Sequence, residues 1–170
     1  CPVDMRRTFV YVGAHWGLCS IGFVTFFKQV EAFGPVEKFF RLFPYNVRGN
    51  NYRLHQCALG DVAGSVHIEI NPTDTGCSHI VGPGEIPVRC LDDFVFSEVD
   101  FLKIDVEGFE LPVVQGAEST LLENRPMVLV EQKGNDAKNF GDERNGAVRF
   151  LKQLGMKELD CIAGDFILDW

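Results

Sequence analysis

The chain has 170 residues, of which 46% are hydrophobic and 24% are charged, as in a soluble globular protein with one hydrophobic core. Its net charge of -8 argues against a nucleic-acid partner, because a phosphate backbone attracts basic surfaces. The apolar runs are short and broken by charged residues, so the sequence predicts no membrane span.

The start of the chain and its cysteines bear on where the protein works. No signal peptide is visible, and we expect further residues before Cys1 because the chain does not start with Met. None of the cysteines forms a Cys-x-x-Cys pair or has a histidine at metal-ligand spacing. We therefore expect reduced thiols, no metal site and a cytoplasmic location. The cysteines are Cys1, Cys19, Cys57, Cys77, Cys90 and Cys161.

Strands alternate with helices along most of the chain. Runs rich in Val, Ile, Leu and Phe are predicted to be parallel strands at residues 8–12, 29–33, 52–58, 100–106 and 126–131. Helical spacing is found at residues 18–27, 36–43, 110–122 and 146–154. Pro35 and Pro112 suit the first turns of the second and third of these helices. Residues 160–163 and 166–169 are predicted to pair as a closing hairpin.

The middle of the chain follows a different pattern. Residues 64–71 alternate between apolar and polar, which predicts an antiparallel strand with one buried face. Residues 72–85 are rich in Gly, Pro, Thr, Ser and Asp and are predicted to be a loop, in which His79 is exposed. Residues 86–90 are predicted to return as a strand. Residues 64–90 would then be a small β insertion after the third strand, placed to cover a cleft.

The alternation of strands and helices predicts one doubly wound α/β domain over residues 1–170. In such open sheets the ligand binds beyond the carboxyl ends of the strands. Residues 12–17, Val-Gly-Ala-His-Trp-Gly, join the first strand to the first helix. Glycines there let the backbone approach a ligand, and the free amides of the helix attract anions. The alternative is a tight turn whose glycines need a positive φ angle.

A second segment of interest is Lys103-Ile-Asp-Val-Glu-Gly108, where the fourth strand ends in two carboxylates. Asp105 and Glu107 would face a cleft, with Glu131 at the tip of the next strand. The alternative is that Asp105 and Glu107 cap the helix that follows. Lys103 lies in an apolar strand and needs an acidic partner, either Glu131 or Asp105. A metal held by the three acids is disfavoured.

These segments resemble the FkbM-type S-adenosylmethionine-dependent methyltransferases from about residue 9 to about residue 159. The most specific match is Val99-Asp-Phe-Leu-Lys-Ile-Asp-Val-Glu-Gly-Phe-Glu-Leu111, whereas the glycine turn at residues 12–17 is much less specific. Further matches are Ala32-Phe-Gly-Pro35, Ala58-Leu-Gly-Asp61 with Gly64, Cys90-Leu-Asp-Asp93, Gln115-Gly-Ala117 and Val130-Glu131.

The resemblance implies a Rossmann-like class I methyltransferase fold, with a mostly parallel seven-stranded sheet in the order 3-2-1-4-5-7-6. It implies that S-adenosylmethionine is the cofactor and that the acceptor is a sugar or another hydroxylated small molecule, methylated on oxygen. It places the catalytic residues on the acceptor side at Asp105, Glu107 and Glu131. The cofactor-binding residues that it implies are Gly13, Ala14, His15, Gly17, Gly34, Leu59 and Asp61.

Two positions depart from the pattern of the family. Tyr11 stands where the first strand usually carries Asp. Gly34 stands where the second strand usually ends in Glu, which in related methyltransferases binds the ribose hydroxyls of the cofactor. The loss of such a charged acceptor costs a few kcal/mol of binding. Glu31 is three residues earlier and therefore on the opposite face of the strand from Gly34, so it is a poor substitute.

Three functions remain open from the sequence. The first is methyl transfer, and the second is a non-catalytic, methyltransferase-like binding module that has lost cofactor affinity. The third, a nucleotide-linked oxidoreductase, is disfavoured because residues 13–17 lack the Gly-x-Gly-x-x-Gly spacing and no acid closes the second strand. The sequence does not identify the acceptor or the oligomeric state.

Overall fold

The computed structural model describes residues 6–72, 75, 78–132 and 145–170. Its elements in chain order are β1 (Thr8–Val12), α1 (Ser20–Phe26), β2 (Gln29–Phe33), α2 (Glu37–Asn46), β3 (Tyr52–His55), β4 (Ala58–Leu59), β5 (Gly64–Glu69), β6 (His79–Pro83), β7 (Ile86–Arg89), β8 (Val99–Ile104), α3 (Glu110–Gln115), α4 (Glu118–Asn124), β9 (Met127–Glu131), α5 (Gly146–Gln153), β10 (Lys157–Ile162) and β11 (Asp165–Asp169). A short 3-10 helix, Leu91–Asp93, precedes β8.

Seven strands form the main sheet in the order β10-β11-β9-β8-β1-β2-β3. The pairs from β3 through β2, β1 and β8 to β9 are parallel, and β11 pairs antiparallel with both β9 and β10. The α/β class predicted from the sequence and the seven-stranded sheet implied by the resemblance are confirmed.

Strand β1 shows why the sheet has a core on each face. Phe9 and Tyr11 pack into one hydrophobic cluster, whereas Val10 and Val12 pack into the other. All four side chains are at most 4% exposed. Successive residues of a strand point to opposite faces, so a strand that is apolar throughout is buried on both sides.

The third predicted strand, residues 52–58, is wrong as a single element. The chain leaves the main sheet after β3, and β4 belongs to a second sheet in the order β4-β7-β5-β6. The predicted loop at residues 72–85 contains β6, which pairs antiparallel with β5. Ladder hydrogen bonds between neighbouring strands outweigh the weak strand propensity of Gly82 and Pro83 in this segment.

The helix predicted at residues 110–122 is interrupted, and α3 and α4 meet at Gly116. A Cβ atom on Gly116 would lie 2.0 Å from the carbonyl oxygen of Gly60, so the two backbones touch. Asp92 then caps α4, because its carboxylate accepts hydrogen bonds from the amides of Ser119 and Thr120 at 2.9 and 2.8 Å.

Smaller differences concern the termini of elements and the thiols. Pro35 lies before α2 and outside its first turn, because Val36 is the N-cap residue of that helix. The cysteines at positions 19, 57, 90 and 161 are free, whereas Cys1 and Cys77 lie outside the described residues. Among the described helices, none combines the length and the apolar character needed to cross a lipid bilayer.

Candidate active site

The carboxyl ends of β2, β1, β8 and β9 meet at a cavity of about 340 Å³. Its lining includes residues 13–16 after β1, residues 34–36 after β2, residues 105–107 after β8, and Glu131 at the tip of β9. A cavity of this size falls in the range of small-molecule sites. Parallel strands bring their carboxyl ends to one edge of the sheet, so residues distant in sequence share this space.

The glycine bend, defined as residues 13–17, packs against the protein core on one side and faces the cavity on the other. Gly13 and Gly17 both have φ angles of +91°. A Cβ on Gly13 would lie 1.8 Å from the carbonyl oxygen of Asp105, and one on Gly17 would lie 2.7 Å from Val47. Packing thus requires both glycines, while Gly13, Ala14 and His15 line the cavity and Gly17 lies outside its lining.

The three candidate catalytic acids, Asp105, Glu107 and Glu131, all line the same cavity. Lys103 is 9% exposed, and its ammonium donates a hydrogen bond to the Asp105 carboxylate at 2.5 Å. This confirms that the buried lysine has an acidic partner, and the partner is Asp105. Charge-assisted bonds of this kind fix the orientation of both groups.

Tyr11 stands where the family that the sequence resembles usually has an acid. It lies beside the Lys103–Asp105 pair. Its hydroxyl lies 3.4 Å from the Lys103 ammonium, which also sits 4.7 Å from the centre of the tyrosine ring. Burial, and next the negative charge of Asp105, raise the pKa of the Tyr11 hydroxyl far above its ordinary value. Tyr11 therefore faces the cavity as a neutral hydroxyl and contributes no charge of its own.

The loop between β8 and α3, residues 105–109, presents Asp105 and Glu107 to the cavity. Glu107 and Gly108 have positive φ angles of 53° and 105°. Glu110 begins α3 directly after the loop, is 3% exposed, and accepts a hydrogen bond from the Gly108 amide at 2.8 Å. Burial raises the pKa of the Glu110 carboxyl to about 7, although the amides of Gly108, Glu110 and Val106 lower it.

The second sheet covers the cavity. Ile68 of β5 and Ile80 of β6 are register partners, and both side chains belong to the lining. His79, predicted as an exposed loop histidine, is instead half-buried in β6 and also lines the cavity. The alternating pattern at residues 64–71 predicted a strand, but it did not indicate which residues would face the cavity.

At the ends of β2 and β4, Gly34 and Leu59 line the cavity, whereas Asp61 is exposed and lies outside the lining. A Cβ on Gly34 would have no atom nearer than the His15 amide nitrogen at 3.8 Å, so there is room for a side chain. Glu31 is 2% exposed and paired with His55 at 2.7 Å, and it is absent from the lining. Glu31 does not take the place of an acid at position 34.

Within the described part of the chain, no group of three or more His, Cys, Asp or Glu side chains is arranged to hold a metal ion. Sequence reasoning placed Asp105, Glu107 and Glu131 at the ends of the strands, but it missed the apolar walls that Phe39 and Ile80 provide.

Comparison with known proteins extends these observations. The sequence matches the family described as Methyltransferase FkbM domain over residues 12–157. No curated protein matches the sequence.

Three of the solved structures with a similar fold are named as methyltransferases or as proposed methyltransferases. Methyltransferase FkbM from Methylobacillus flagellatus KT has a TM-score of 0.60 and 18% identity, over 96% of this chain and 43% of that one. Precorrin-6y C5,15-methyltransferase from Geobacter metallireducens GS-15 has a TM-score of 0.58 and 14% identity, over 99% and 84%. A Streptococcus mutans protein proposed to be a methyltransferase, in complex with SAH, has a TM-score of 0.56 and 10% identity, over 98% and 92%.

The chain spans less than half of the Methylobacillus protein, and identities this low establish the fold alone. The family match is broader evidence, because residues 12–157 include both the glycine bend and the three acids at the cavity. On this evidence the chain belongs to the FkbM methyltransferase family.

Proposed function

We propose that the protein transfers a methyl group from S-adenosylmethionine to a hydroxyl group of a sugar or another hydroxylated small molecule. The observation that carries the proposal is the convergence of the glycine bend and three carboxylates, Asp105, Glu107 and Glu131, on one cavity. A methyl acceptor of modest size is favoured because the cavity of about 340 Å³ must also admit the cofactor.

The lining fits the chemistry of this cofactor. The apolar side chains of Phe39, Leu59 and Ile68 suit an aromatic base, and the carboxylates suit a molecule with positive charge. Gly13, Ala14, His15 and Gly34 would hold it through backbone groups at the ends of β1 and β2. Gly17 supports the bend from behind, and contact with Asp61 stays a prediction. When bound, S-adenosylmethionine supplies a methyl group already activated by a sulfonium.

The three acids have different surroundings and therefore different roles in this proposal. One oxygen of Asp105 already accepts a charged hydrogen bond from Lys103, so this carboxylate is held in one orientation and serves to position the acceptor. Glu107 lies on the loop and faces the same cavity, and it is assigned as the base that takes the hydroxyl proton. Glu131 closes the acceptor side from β9.

Calorimetric titration tests the cofactor assignment. We expect S-adenosylmethionine and S-adenosylhomocysteine to bind with a Kd on the order of 100 µM, weak because position 34 lacks a ribose-binding carboxylate. Titration with NADH is the control and is expected to give no heat. If neither S-adenosylmethionine nor S-adenosylhomocysteine gives heat at millimolar concentration, the result would favour the non-catalytic binding module. Binding of NADH alone would favour an oxidoreductase.

Neutral replacement of the two loop acids tests the chemistry. Asp105→Asn and Glu107→Gln are each expected to lower methyl transfer about 100-fold, because positioning and proton removal each contribute factors of this size. The measurement is transfer of labelled methyl from S-adenosylmethionine to a panel of sugars and other hydroxylated metabolites. Asp160→Asn, on an exposed residue of β10, is the matched control and should keep full activity.

Circular dichroism of the same variants should show an intact fold. Full activity in Asp105→Asn would mean that the residue only caps the loop and α3, and full activity in Glu107→Gln would remove it as the base.

A further inference from the structure

The loop at residues 105–109 carries two of the proposed active-site acids, Asp105 and Glu107, and lies between β8 and α3. It follows β8 and turns sharply through Glu107 and Gly108, whose φ angles are 53° and 105°. A left-handed backbone at a non-glycine residue is strained and persists only where surrounding contacts impose it. Some group must therefore hold the loop in this shape.

The Glu110 carboxylate lies within hydrogen-bonding distance of this loop. Glu110 lies at the start of α3, and its side chain is 3% exposed, although glutamate is rarely buried without compensation. Its carboxylate turns back toward the loop and accepts a hydrogen bond from the Gly108 amide at 2.8 Å. The amides of Val106 and Glu110 itself also favour its ionised form. The carboxylate thus sits among the backbone amides of the segment that bears Asp105 and Glu107.

We propose that Glu110 is a positioning residue, which folds the loop at residues 105–109 around its carboxylate and thereby directs Asp105 and Glu107 into the cavity. Glu110 is not in the cavity lining, so it acts through the loop and touches neither cofactor nor acceptor. The role of the loop in catalysis rests on the proposed function, but the control of loop shape by Glu110 does not.

The hydrogen bond between Glu110 and the Gly108 amide should depend on pH, because it depends on the charge of Glu110. Its pKa is raised to about 7 by burial, and Asp105 is the charged group that adds to this rise. Protonation turns the carboxylate into a weaker acceptor for the Gly108 amide. The amide resonance of Gly108 should therefore shift with pH, with a midpoint near 7, as the carboxylate gains or loses its proton.

The experiment compares Glu110→Gln, Glu110→Ala and the wild-type protein by nuclear magnetic resonance and amide hydrogen exchange, without any ligand. Glu118→Gln is the matched control, because Glu118 occupies the first turn of α4 but is exposed. In Glu110→Ala we expect the Gly108 amide to exchange at least tenfold faster, with the amides of β1 and β8 unchanged. Glu110→Gln keeps an acceptor oxygen, so its exchange should stay near that of wild type while the pH-dependent shift near 7 disappears.

Two results would overturn the proposal. One is a uniform acceleration of amide exchange throughout the sheet in Glu110→Ala. It would mean that Glu110 stabilises the whole fold, as any core residue does, and does not act on the loop in particular. The other is a Gly108 titration near pH 7 that persists in Glu110→Gln. Should Glu110→Ala fail to fold, the pH titration in Glu110→Gln decides the matter alone. Calorimetry with S-adenosylhomocysteine on the wild-type protein tests the proposed function separately, so failure of either hypothesis is distinguishable.

Discussion

Gly34→Glu is expected to raise the affinity for S-adenosylmethionine between about 10-fold and 100-fold. The residue follows β2 and lines the cavity, and a Cβ there meets no atom closer than 3.8 Å. Its φ angle is not in the left-handed region, so a larger residue is tolerated by the backbone. A new carboxylate at this point can accept hydrogen bonds from both ribose hydroxyls, each worth about 1.5–3 kcal/mol before the cost of ordering the side chain.

Gly34→Gln is the matched control, because it adds the same bulk without the charge. Calorimetry with S-adenosylmethionine and S-adenosylhomocysteine should show a gain for Glu that Gln largely lacks. Equal gains in the two variants would mean that added contact area, and not the charged acceptor, strengthens binding. No gain in either variant would place the ribose away from the end of β2.

Gly13→Ala is expected to destabilise the fold by more than about 4 kcal/mol, at the extreme of single substitutions. The new methyl group would lie 1.8 Å from the carbonyl oxygen of Asp105, and the φ angle of +91° is unfavourable for alanine. Neither backbone can move away cheaply, because the Gly13 amide donates to Phe33 at 3.1 Å and the Asp105 amide donates to Val12 at 3.0 Å.

Urea unfolding measures this effect, with Gly22→Ala as the control. Gly22 lies in α1 and a Cβ there meets nothing within 4 Å, so alanine should stabilise the protein by up to about 1 kcal/mol. A Gly13→Ala protein within about 1 kcal/mol of wild type would show that the strands can separate at this point, and that the glycine is present for the ligand alone.

Local patterns predicted the main sheet well because its central strands are buried on both faces and therefore apolar throughout. They also predicted that Lys103 has an acidic partner, with Glu131 and Asp105 as the alternatives, since a lysine in a buried strand requires an acid within reach. The break between α3 and α4 was not predictable in the same way. It depends on the contact between Gly116 and Gly60, which are far apart in sequence and meet only in the folded chain.

The candidate site was predictable in its polar half and not in its apolar half. The acids follow apolar strands directly, so the sequence places them at the edge of the sheet. The walls formed by Ile68, Ile80 and Trp16 come from side chains that look like ordinary core residues in the sequence. Glu110 was missed for a related reason, because an acid at the start of a helix is usually an exposed group that interacts with the helix dipole.

The separation between β3 and β4 has a consequence for how such proteins diversify. The chain passes from the main sheet to the second sheet across only Gln56 and Cys57, and β4 then pairs with β7, the last strand of that sheet. The first and last strands of the second sheet, β4 and β7, are therefore paired with each other. The β5–β6 hairpin extends from this pair through the contact between β5 and β7. Lengthening or exchanging the hairpin would change the side of the cavity that the second sheet covers and leave the register of β1, β2 and β8 unchanged. The hairpin is therefore a segment that can be replaced to engineer acceptor preference.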